Sequence, residues 1–258
     1  MDSVYAGVNL AGRAAMRALG LQIRVEGATR IPRTGPVVLV SPHTAFVDFP
    51  LVELAATEAG RYVRFLTRHD VWHAPGRVVA RAMDAMGHVP VDRTAPAAAY
   101  LHGRRHLRAG EAVGVFPEAG ISTSFTVRAL MPGAVALAVE TGATLVPLVT
   151  WGAQRISRVG GPVDLTRGRP VDVVVGEPRG YVPGTDVRAA TRALGGELQR
   201  LLDEVQQRPR HRPRPGEWAP WHPAHLGGHA PSAEQARAVE SVPRSAVAAT
   251  WAPRPQRS

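Results

Sequence analysis

The sequence predicts an α/β fold in which helices cover both faces of a mainly parallel central sheet. Three observations support this prediction. Short apolar runs alternate along the chain with stretches of helical periodicity. Most of these runs are apolar throughout, as in strands that are buried on both sides. The length of 258 residues and the hydrophobic content of 45% allow one well-developed core.

The predicted elements follow one another in a regular order. Residues 3–19 carry apolar side chains at helical spacing, with Arg13 and Arg17 on another face. This pattern predicts an amphipathic helix, which either lies on a membrane surface or covers the core of the protein. The apolar run 37–41 then has the length of a buried strand. Further strands are predicted at 62–67, 87–91, 112–116, 145–150 and 171–175, and further helices at 47–59, 72–86, 95–109, 133–141 and 185–207.

Prolines mark two helix ends and the end of the domain. Pro132 stands at the entry of the helix 133–141, and Pro209 follows the helix 185–207. From Pro209 onwards the composition changes to Pro, Arg, Ala and His with little periodicity, which predicts a disordered or loosely attached tail. We therefore divide the chain into an N-terminal amphipathic helix (1–22), an α/β domain (23–208) and a Pro/Arg-rich tail (209–258).

The composition excludes some kinds of site and favours an anionic partner. The chain has no cysteine, which excludes disulfides, thiolate metal sites and a cysteine nucleophile, and no other metal ligand set is visible. The net charge of +10 favours nucleic acid or an anionic membrane surface as the partner. Because aromatic residues make up only 5% of the chain, base stacking has little support. We therefore expect an anionic membrane surface and no nucleic acid.

The sequence shows no sign of a segment that crosses the membrane. No stretch reaches the roughly 18 uninterrupted apolar residues of a transmembrane helix. Asp2 stands where a signal peptide has basic residues, and Arg13 and Arg17 interrupt the apolar stretch that follows. We therefore expect a peripheral protein at the cytoplasmic face of the membrane, without a transmembrane span.

A histidine and an aspartate follow the predicted strand 37–41. His43 lies just beyond the strand, and Asp48 lies one helical turn further on. A carboxylate at that distance can fix the tautomer of an imidazole and stabilise its protonated form, as a general base requires. In isolation, His43 is more simply explained as a polar group at a strand end, and Asp48 as a charge at a helix N-terminus. Glu118 ends another apolar strand in the same way, and this second polar strand end favours a catalytic site at the carboxyl edge of the sheet.

These residues resemble the motifs of the glycerolipid acyltransferases typified by 1-acylglycerol-3-phosphate acyltransferase. That family carries His-x4-Asp and Phe-Pro-Glu-Gly-Thr-Arg-Ser, which correspond here to the pair His43/Asp48 and to residues 116–122. A middle block (68–93) and a Val-Pro-Leu block (146–148) complete four blocks in the family's order. The resemblance covers roughly half of the chain, and the order of four blocks makes it specific.

The resemblance implies acyl transfer from acyl-CoA or acyl-carrier protein to the hydroxyl of a lysophospholipid at the membrane surface. His43 is implied as the general base, oriented by Asp48, while the hydroxyl oxygen attacks the thioester carbonyl. Backbone amides of the turn 118–122 are implied as donors to the acceptor phosphate or to the developing oxyanion. Neither a covalent acyl-enzyme nor a cofactor other than the acyl donor is implied. The substrate-binding residues that we expect are Arg68, Arg93, Glu118, Ala119, Gly120, Ser122 and Arg128.

The chain departs from the family pattern where the head group of the acceptor is expected to bind. Residues 119–121 are Ala-Gly-Ile where the family has Gly-Thr-Arg, and Met131 replaces a basic residue. Charged hydrogen bonds are worth roughly 1.5–3 kcal/mol each, so their loss changes how the head group is held. Arg93 and Arg128 are the best replacements for a two-pronged grip, and Arg68 stands where the family often has Lys. A catalytically weakened, lipid-binding homologue is therefore the alternative to an active acyltransferase.

Overall fold

The computed structural model describes residues 2–68, 77–92, 96–118, 120–240, 242–243 and 245–247. Within these residues, seven strands form one sheet and seven α-helices surround it. The strands are β1 Gln22–Glu26, β2 Val37–Val40, β3 Val63–Arg68, β4 Val89–Val91, β5 Ala112–Val115, β6 Thr144–Trp151 and β7 Pro170–Val175. The helices are α1 Asp2–Ala18, α2 Asp48–Glu58, α3 Arg77–Ala85, α4 Pro96–Arg108, α5 Gly133–Thr141, α6 Val187–Gln206 and α7 Ala233–Val239.

The sheet has the order β1-β7-β6-β2-β5-β3-β4, and every neighbouring pair is parallel except β6 and β7. The prediction of a mainly parallel sheet is therefore confirmed. Residues 22–26, for which we predicted no strand, form the edge strand β1. Its side chains are exposed or only partly buried and alternate in polarity, so it lacks the continuous apolar run of a strand such as β2. The predicted helix 72–86 is observed as α3, and its residues before 77 lie outside the described part of the chain.

Two hydrophobic cores lie on opposite faces of the sheet, because successive side chains of a strand point to opposite sides. In β2, Val38 and Val40 belong to the core that includes residues of α4, α5 and α6. Val37 and Leu39 belong to the core on the other face, which includes residues of α2. All four side chains are fully buried. Helices therefore cover both faces, as predicted, and side chains from different strands can meet at the strand ends.

Helix α1 turns a polar face towards the domain. The Tyr5 hydroxyl donates to Glu53 Oε2 at 2.9 Å, and Asn9 Nδ2 donates to Glu53 Oε1 at 3.1 Å. One turn further on, Arg13 Nη2 donates to Thr57 Oγ1 at 2.7 Å. Burial raises the pKa of the Glu53 carboxyl to about 7. A row of hydrogen bonds to α2 therefore attaches α1 to the domain.

The outward face of α1 is apolar. Val4, Val8 and Leu10 expose 41%, 38% and 65% of their surface. An ordinary surface helix has the opposite orientation, with its apolar stripe turned towards the core. The helix thus packs on the domain and presents an apolar surface at the same time. Among the described residues, no helix combines the length and the hydropathy that a membrane span requires.

Residues 209–240, for which we predicted a disordered or loosely attached tail, contact the domain at several points. Asp172 of β7 is completely buried and pairs with Arg210 Nη1 at 2.8 Å and with His211 Nε2 at 3.1 Å. A buried carboxylate is stable only with such partners, so this cluster ties the start of the segment to the sheet. This attachment could not be predicted from the hydropathy of the segment, because the side chains that make it are charged and also occur in disordered tails.

The remainder of the segment continues over the surface of the domain. The Arg155 guanidinium lies 3.4 Å from the centroid of the Trp221 ring, a cation–π contact. Val247 pairs with Leu130 in an antiparallel bridge, with N–H to O distances of 2.8 and 3.1 Å. Helix α7 lies between these two points in the chain. Residues 241, 244 and 248–258 lie outside the described part of the chain.

Candidate functional site

Strands β2 and β5 end at the same level of the sheet, beside β6, which continues to Trp151. Val40 of β2 pairs with Val115 of β5 on one side and with Pro147 of β6 on the other. Residues at equal distances beyond these three positions therefore come close together. The residues three positions further on are His43, Glu118 and Thr150. The site thus lies at the carboxyl ends of the strands, where parallel sheets commonly carry their functional groups.

Asp48 is the most densely bonded side chain of the site. Its Oδ2 contacts His43 Nδ1 at 2.9 Å and accepts hydrogen bonds from the backbone N–H groups of Thr44 and Ala45, each at 2.8 Å. Its Oδ1 accepts from the Thr150 hydroxyl at 2.7 Å. The side chain is completely buried and is the first residue of α2. Asp48 therefore both begins a helix, as the simpler explanation expected, and holds the histidine.

The contact with Asp48 orients the imidazole of His43. When Nδ1 carries the proton and donates to the carboxylate, Nε2 has a free lone pair. The ring packs against Phe116 and Phe49, with centroid distances of 4.6 and 5.7 Å, and its side chain is 15% exposed. In that tautomer, Nε2 is the ring nitrogen that can take a proton from a hydroxyl group.

Glu118 holds the backbone around the histidine. Its Oε2 accepts from the backbone N–H of His43, and its Oε1 accepts from that of Arg128, both at 2.8 Å. The side chain is 2% exposed. Burial raises the pKa of the Glu118 carboxyl to about 8, although both amides and the charge of Arg128 act in the opposite direction. Both carboxyl oxygens are therefore used inside the protein, which gives Glu118 a positioning role.

Ser122 holds the histidine from the other side. Its backbone N–H donates to the carbonyl of His43 at 2.7 Å, and its hydroxyl donates to the carbonyl of Thr126 at 2.7 Å. The side chain is 1% exposed. The loop is anchored further at Phe125, whose carbonyl accepts from Gln206 Nε2 of α6 at 2.8 Å. Both backbone polar groups of His43 are thus bound by the segment 118–122.

Arg128 places its guanidinium over the turn that begins at Glu118. A Cβ atom at Gly120 would lie 2.4 Å from Arg128 Nη1, so a larger residue there would force the end of this side chain to move. The same nitrogen donates to the carbonyl of Ile121 at 3.4 Å. On its other edge, Arg128 Nε lies 3.0 Å from Glu240 Oε2. Gly120 and Arg128, both expected at the site, are therefore brought together.

Three of the expected residues are not described at the level of their side chains. Ala119 and Arg93 lie outside the described residues. Arg68 is the last residue of β3, but its side chain lies outside what the structure describes. Among the residues that are described, no group of three or more His, Asp or Glu side chains is placed to hold a metal ion.

Two residues of the site were not predicted from the sequence. Thr150 lies 102 positions from Asp48, and only the adjacency of β2 and β6 brings its hydroxyl to the carboxylate. Its place near the end of an apolar strand was a usable signal, of the same kind as that of Glu118. Glu240 follows a stretch without lasting periodicity, so nothing in the sequence indicated its contact with Arg128.

Comparison with known proteins places the same residues in a family. A family model described as Acyltransferase matches residues 22–151, half of the chain. A chloroplastic 1-acyl-sn-glycerol-3-phosphate acyltransferase of Arabidopsis thaliana is 29% identical over 162 residues, which cover 61% of this chain and 43% of that protein. A 1-acyl-sn-glycerol-3-phosphate acyltransferase of Borreliella burgdorferi is 28% identical over 135 residues, which cover 51% and 52% of the two chains.

The fold has a solved counterpart. The crystal structure of the 1-acyl-sn-glycerophosphate acyltransferase of Thermotoga maritima superposes with a TM-score of 0.64 at 22% identity. The superposition covers 79% of this chain and 80% of that chain. By contrast, the chain spans only about half the length of the two relatives compared by sequence. The match of the family model includes His43, Asp48, Glu118 and Thr150.

Proposed function

This chain belongs to the acyltransferase family, and from that membership we propose that it is an O-acyltransferase of glycerolipids. It moves a fatty acyl group from an acyl thioester, either acyl-CoA or acyl-carrier protein, to the hydroxyl of a lysophospholipid or a related glycerolipid. The observation that carries the proposal is the contact of His43 Nδ1 with the buried Asp48 carboxylate at 2.9 Å. This contact sets up a general base for hydroxyl activation.

The reaction proceeds by direct transfer. Nε2 of His43 takes the proton from the acceptor hydroxyl while the hydroxyl oxygen attacks the thioester carbonyl carbon. Asp48 stabilises the imidazolium that forms, as a buried carboxylate does beside a cation. When the tetrahedral intermediate collapses, the C–S bond breaks and the imidazolium returns its proton to the leaving thiolate. The products are the acylated lipid and the free thiol, and His43 is regenerated.

We propose Arg128 as the residue that binds the phosphate of the acceptor. The family pattern expects an arginine at position 121, where this chain has Ile121. Arg128 reaches the same turn from a later point in the chain, since its Nη1 donates to the carbonyl of Ile121 and lies over Gly120. A guanidinium is suited to phosphate because its donors are planar and paired. Glycine at position 120 and arginine at 128 therefore compensate together for the missing arginine.

We propose that α1 attaches the protein to an anionic membrane surface. Its exposed apolar side chains Val4, Val8 and Leu10 can enter the interface, while its polar face remains bound to the domain. Arg17 is exposed in its last turn, and the chain carries a net charge of +10. Both features favour anionic lipids, with roughly 1 kcal/mol for each basic residue near the surface.

Vesicle binding tests this attachment with a matched control. Replacing Val8 and Leu10 by Ser should weaken binding to anionic vesicles at least tenfold, since each buried apolar side chain contributes roughly 1.5–3 kcal/mol. The control replaces Val163 and Leu165 by Ser, because these side chains are of the same types and are 68% and 61% exposed elsewhere. An equal loss of affinity for anionic vesicles in both variants would show that α1 has no special part in membrane binding.

The enzymatic proposal is tested by mass spectrometry of lipids after incubation with acyl-CoA and mixed lyso-lipids. The wild type should form an acylated product, and His43→Ala should form none while keeping its circular dichroism spectrum. The control is His102→Ala, because His102 is exposed on α4. Full activity of His43→Ala would exclude the mechanism. Ile121 and Met131 motivate the alternative of a lipid-binding homologue, which vesicle binding without acyl-CoA consumption by the wild type would establish.

A further inference from the structure

The C-terminal segment, which we define as residues 232–247, reaches the acceptor side of the proposed site. Helix α7 begins with a capping box, in which Ser232 and Gln235 exchange hydrogen bonds. Glu240 follows the last turn of the helix, and beyond it Val247 pairs with Leu130. The segment therefore has fixed points on both sides of Glu240.

Glu240 pairs with Arg128, the residue proposed to bind phosphate. Arg128 Nε and Glu240 Oε2 are 3.0 Å apart, and the two side chains are only 8% and 9% exposed. Water screens a pair of this burial much less than a pair on the open surface. The negative charge of Glu240 also acts on the site, since it contributes to the raised pKa of Glu118.

A carboxylate and a phosphate bind a guanidinium through the same N–H donors. We propose that Glu240 is a specificity-determining residue, whose carboxylate competes with the phosphate of the acceptor for Arg128. An acceptor that carries a phosphate must displace Glu240, whereas an acceptor without one need not. This proposal rests on the proposed function and names the residue that sets its preference among head groups.

The structure allows this displacement without unfolding the segment. The capping box at Ser232 and the backbone bridge between Val247 and Leu130 do not involve the Glu240 side chain. The Arg128 backbone is held separately, by the hydrogen bond from its N–H to Glu118. Only the side chains of Arg128 and Glu240 need to separate when a phosphate enters.

The test compares two acceptors with the same acyl chain, a lysophosphatidate and an uncharged monoacylglycerol. Glu240→Gln should lower the ratio of the lysophosphatidate KM to the monoacylglycerol KM by at least about fivefold, because water screens this buried charge contact less than an exposed one. Glutamine is isosteric and keeps a hydrogen-bond acceptor for Arg128. The matched control is Glu234→Gln, which removes the same charge from an exposed position on α7 and should leave the ratio unchanged. In an Arg128→Gln background, Glu240→Gln should have no effect.

A binding measurement separates this proposal from the proposed function. Titration of glycerol 3-phosphate, followed by NMR, should show tighter binding to Glu240→Gln than to the wild type. If the wild type acylates no acceptor, the proposed function fails, and this titration still decides the competition. Equal affinities of the two proteins for glycerol 3-phosphate, or an unchanged KM ratio in an active enzyme, would overturn the role of Glu240.

Discussion

Replacing Asp48 by Asn separates the charge of this side chain from its shape. Three donors converge on Oδ2, namely His43 Nδ1 and the N–H groups of Thr44 and Ala45. The asparagine carbonyl can take that position. Its NH₂ group then faces the Thr150 hydroxyl, which donates to Oδ1 in the wild type and can accept instead. We therefore expect the variant to fold with the same contacts and without the negative charge.

The expected loss of activity follows from the geometry of the pair. An imidazolium and a carboxylate at the observed 2.9 Å attract each other by roughly 6 kcal/mol at an effective dielectric constant of about 20. The amide dipole of asparagine recovers part of this energy and leaves a deficit of about 3–4 kcal/mol in the transition state. That deficit corresponds to a loss of about 10²–10³-fold in kcat/KM. Weaker hydrogen bonds should reduce the free energy of unfolding by only about 1–2 kcal/mol.

Initial rates of acylated product at saturating acyl-CoA, together with thermal unfolding, measure both quantities. The matched control is Glu58→Gln, which removes a negative charge from the exposed end of the same helix. It should change kcat/KM less than twofold, a limit set by the weakness of exposed charge contacts. A folded Asp48→Asn protein with activity within about threefold of the wild type would refute a charge-stabilised base.

Three further changes test the groups around the pair. Thr150→Val should lower kcat/KM about tenfold by leaving Asp48 Oδ1 without its donor, and Thr150→Ser should restore it, as steady-state rates will show. The Glu118 pKa of about 8 lies above its ordinary 4.5, so the folded protein binds more protons between these values. The contribution of this group to the free energy of unfolding therefore falls as pH rises between these values. Urea titrations at a series of pH values should show that the free energy of unfolding depends less on pH in Glu118→Gln than in the wild type. Gly120→Ala should displace Arg128 and raise the KM of phosphate-bearing acceptors at least severalfold, with less effect on monoacylglycerol.

Much of the fold was predictable because its signals are local. Strands β2, β5 and β6 are largely apolar runs, and a strand that is buried on both faces can be predicted without knowing its neighbours. The pairing of His43 with Asp48 is also local, since five residues and the start of one helix fix the distance. To predict that Glu118 lies at the same site required one further rule, that parallel strands end at a common edge of the sheet.

The rest depended on contacts that the sequence does not encode locally. Thr150 meets Asp48 only because β6 lies next to β2, and strand order is a property of the whole sheet. The attachment of residues 209–240 depends on Asp172, a buried charge on a strand that otherwise reads as apolar. Its partners Arg210 and His211 are of residue types that also occur in disordered tails. Hydrophobic periodicity does not reveal polar contacts of this kind.

Two departures from the family pattern, at positions 120 and 121, fall on residues that do not hold the histidine. Glu118 and Ser122, which match the pattern, bind the backbone N–H and carbonyl of His43. Gly120 and Ile121, which depart from it, instead contact the side chain of Arg128. In the proposed mechanism, the segment therefore combines residues that position the base with residues that face the head group. A change of acceptor can then occur without loss of the chemistry, because the two tasks use different residues of one turn.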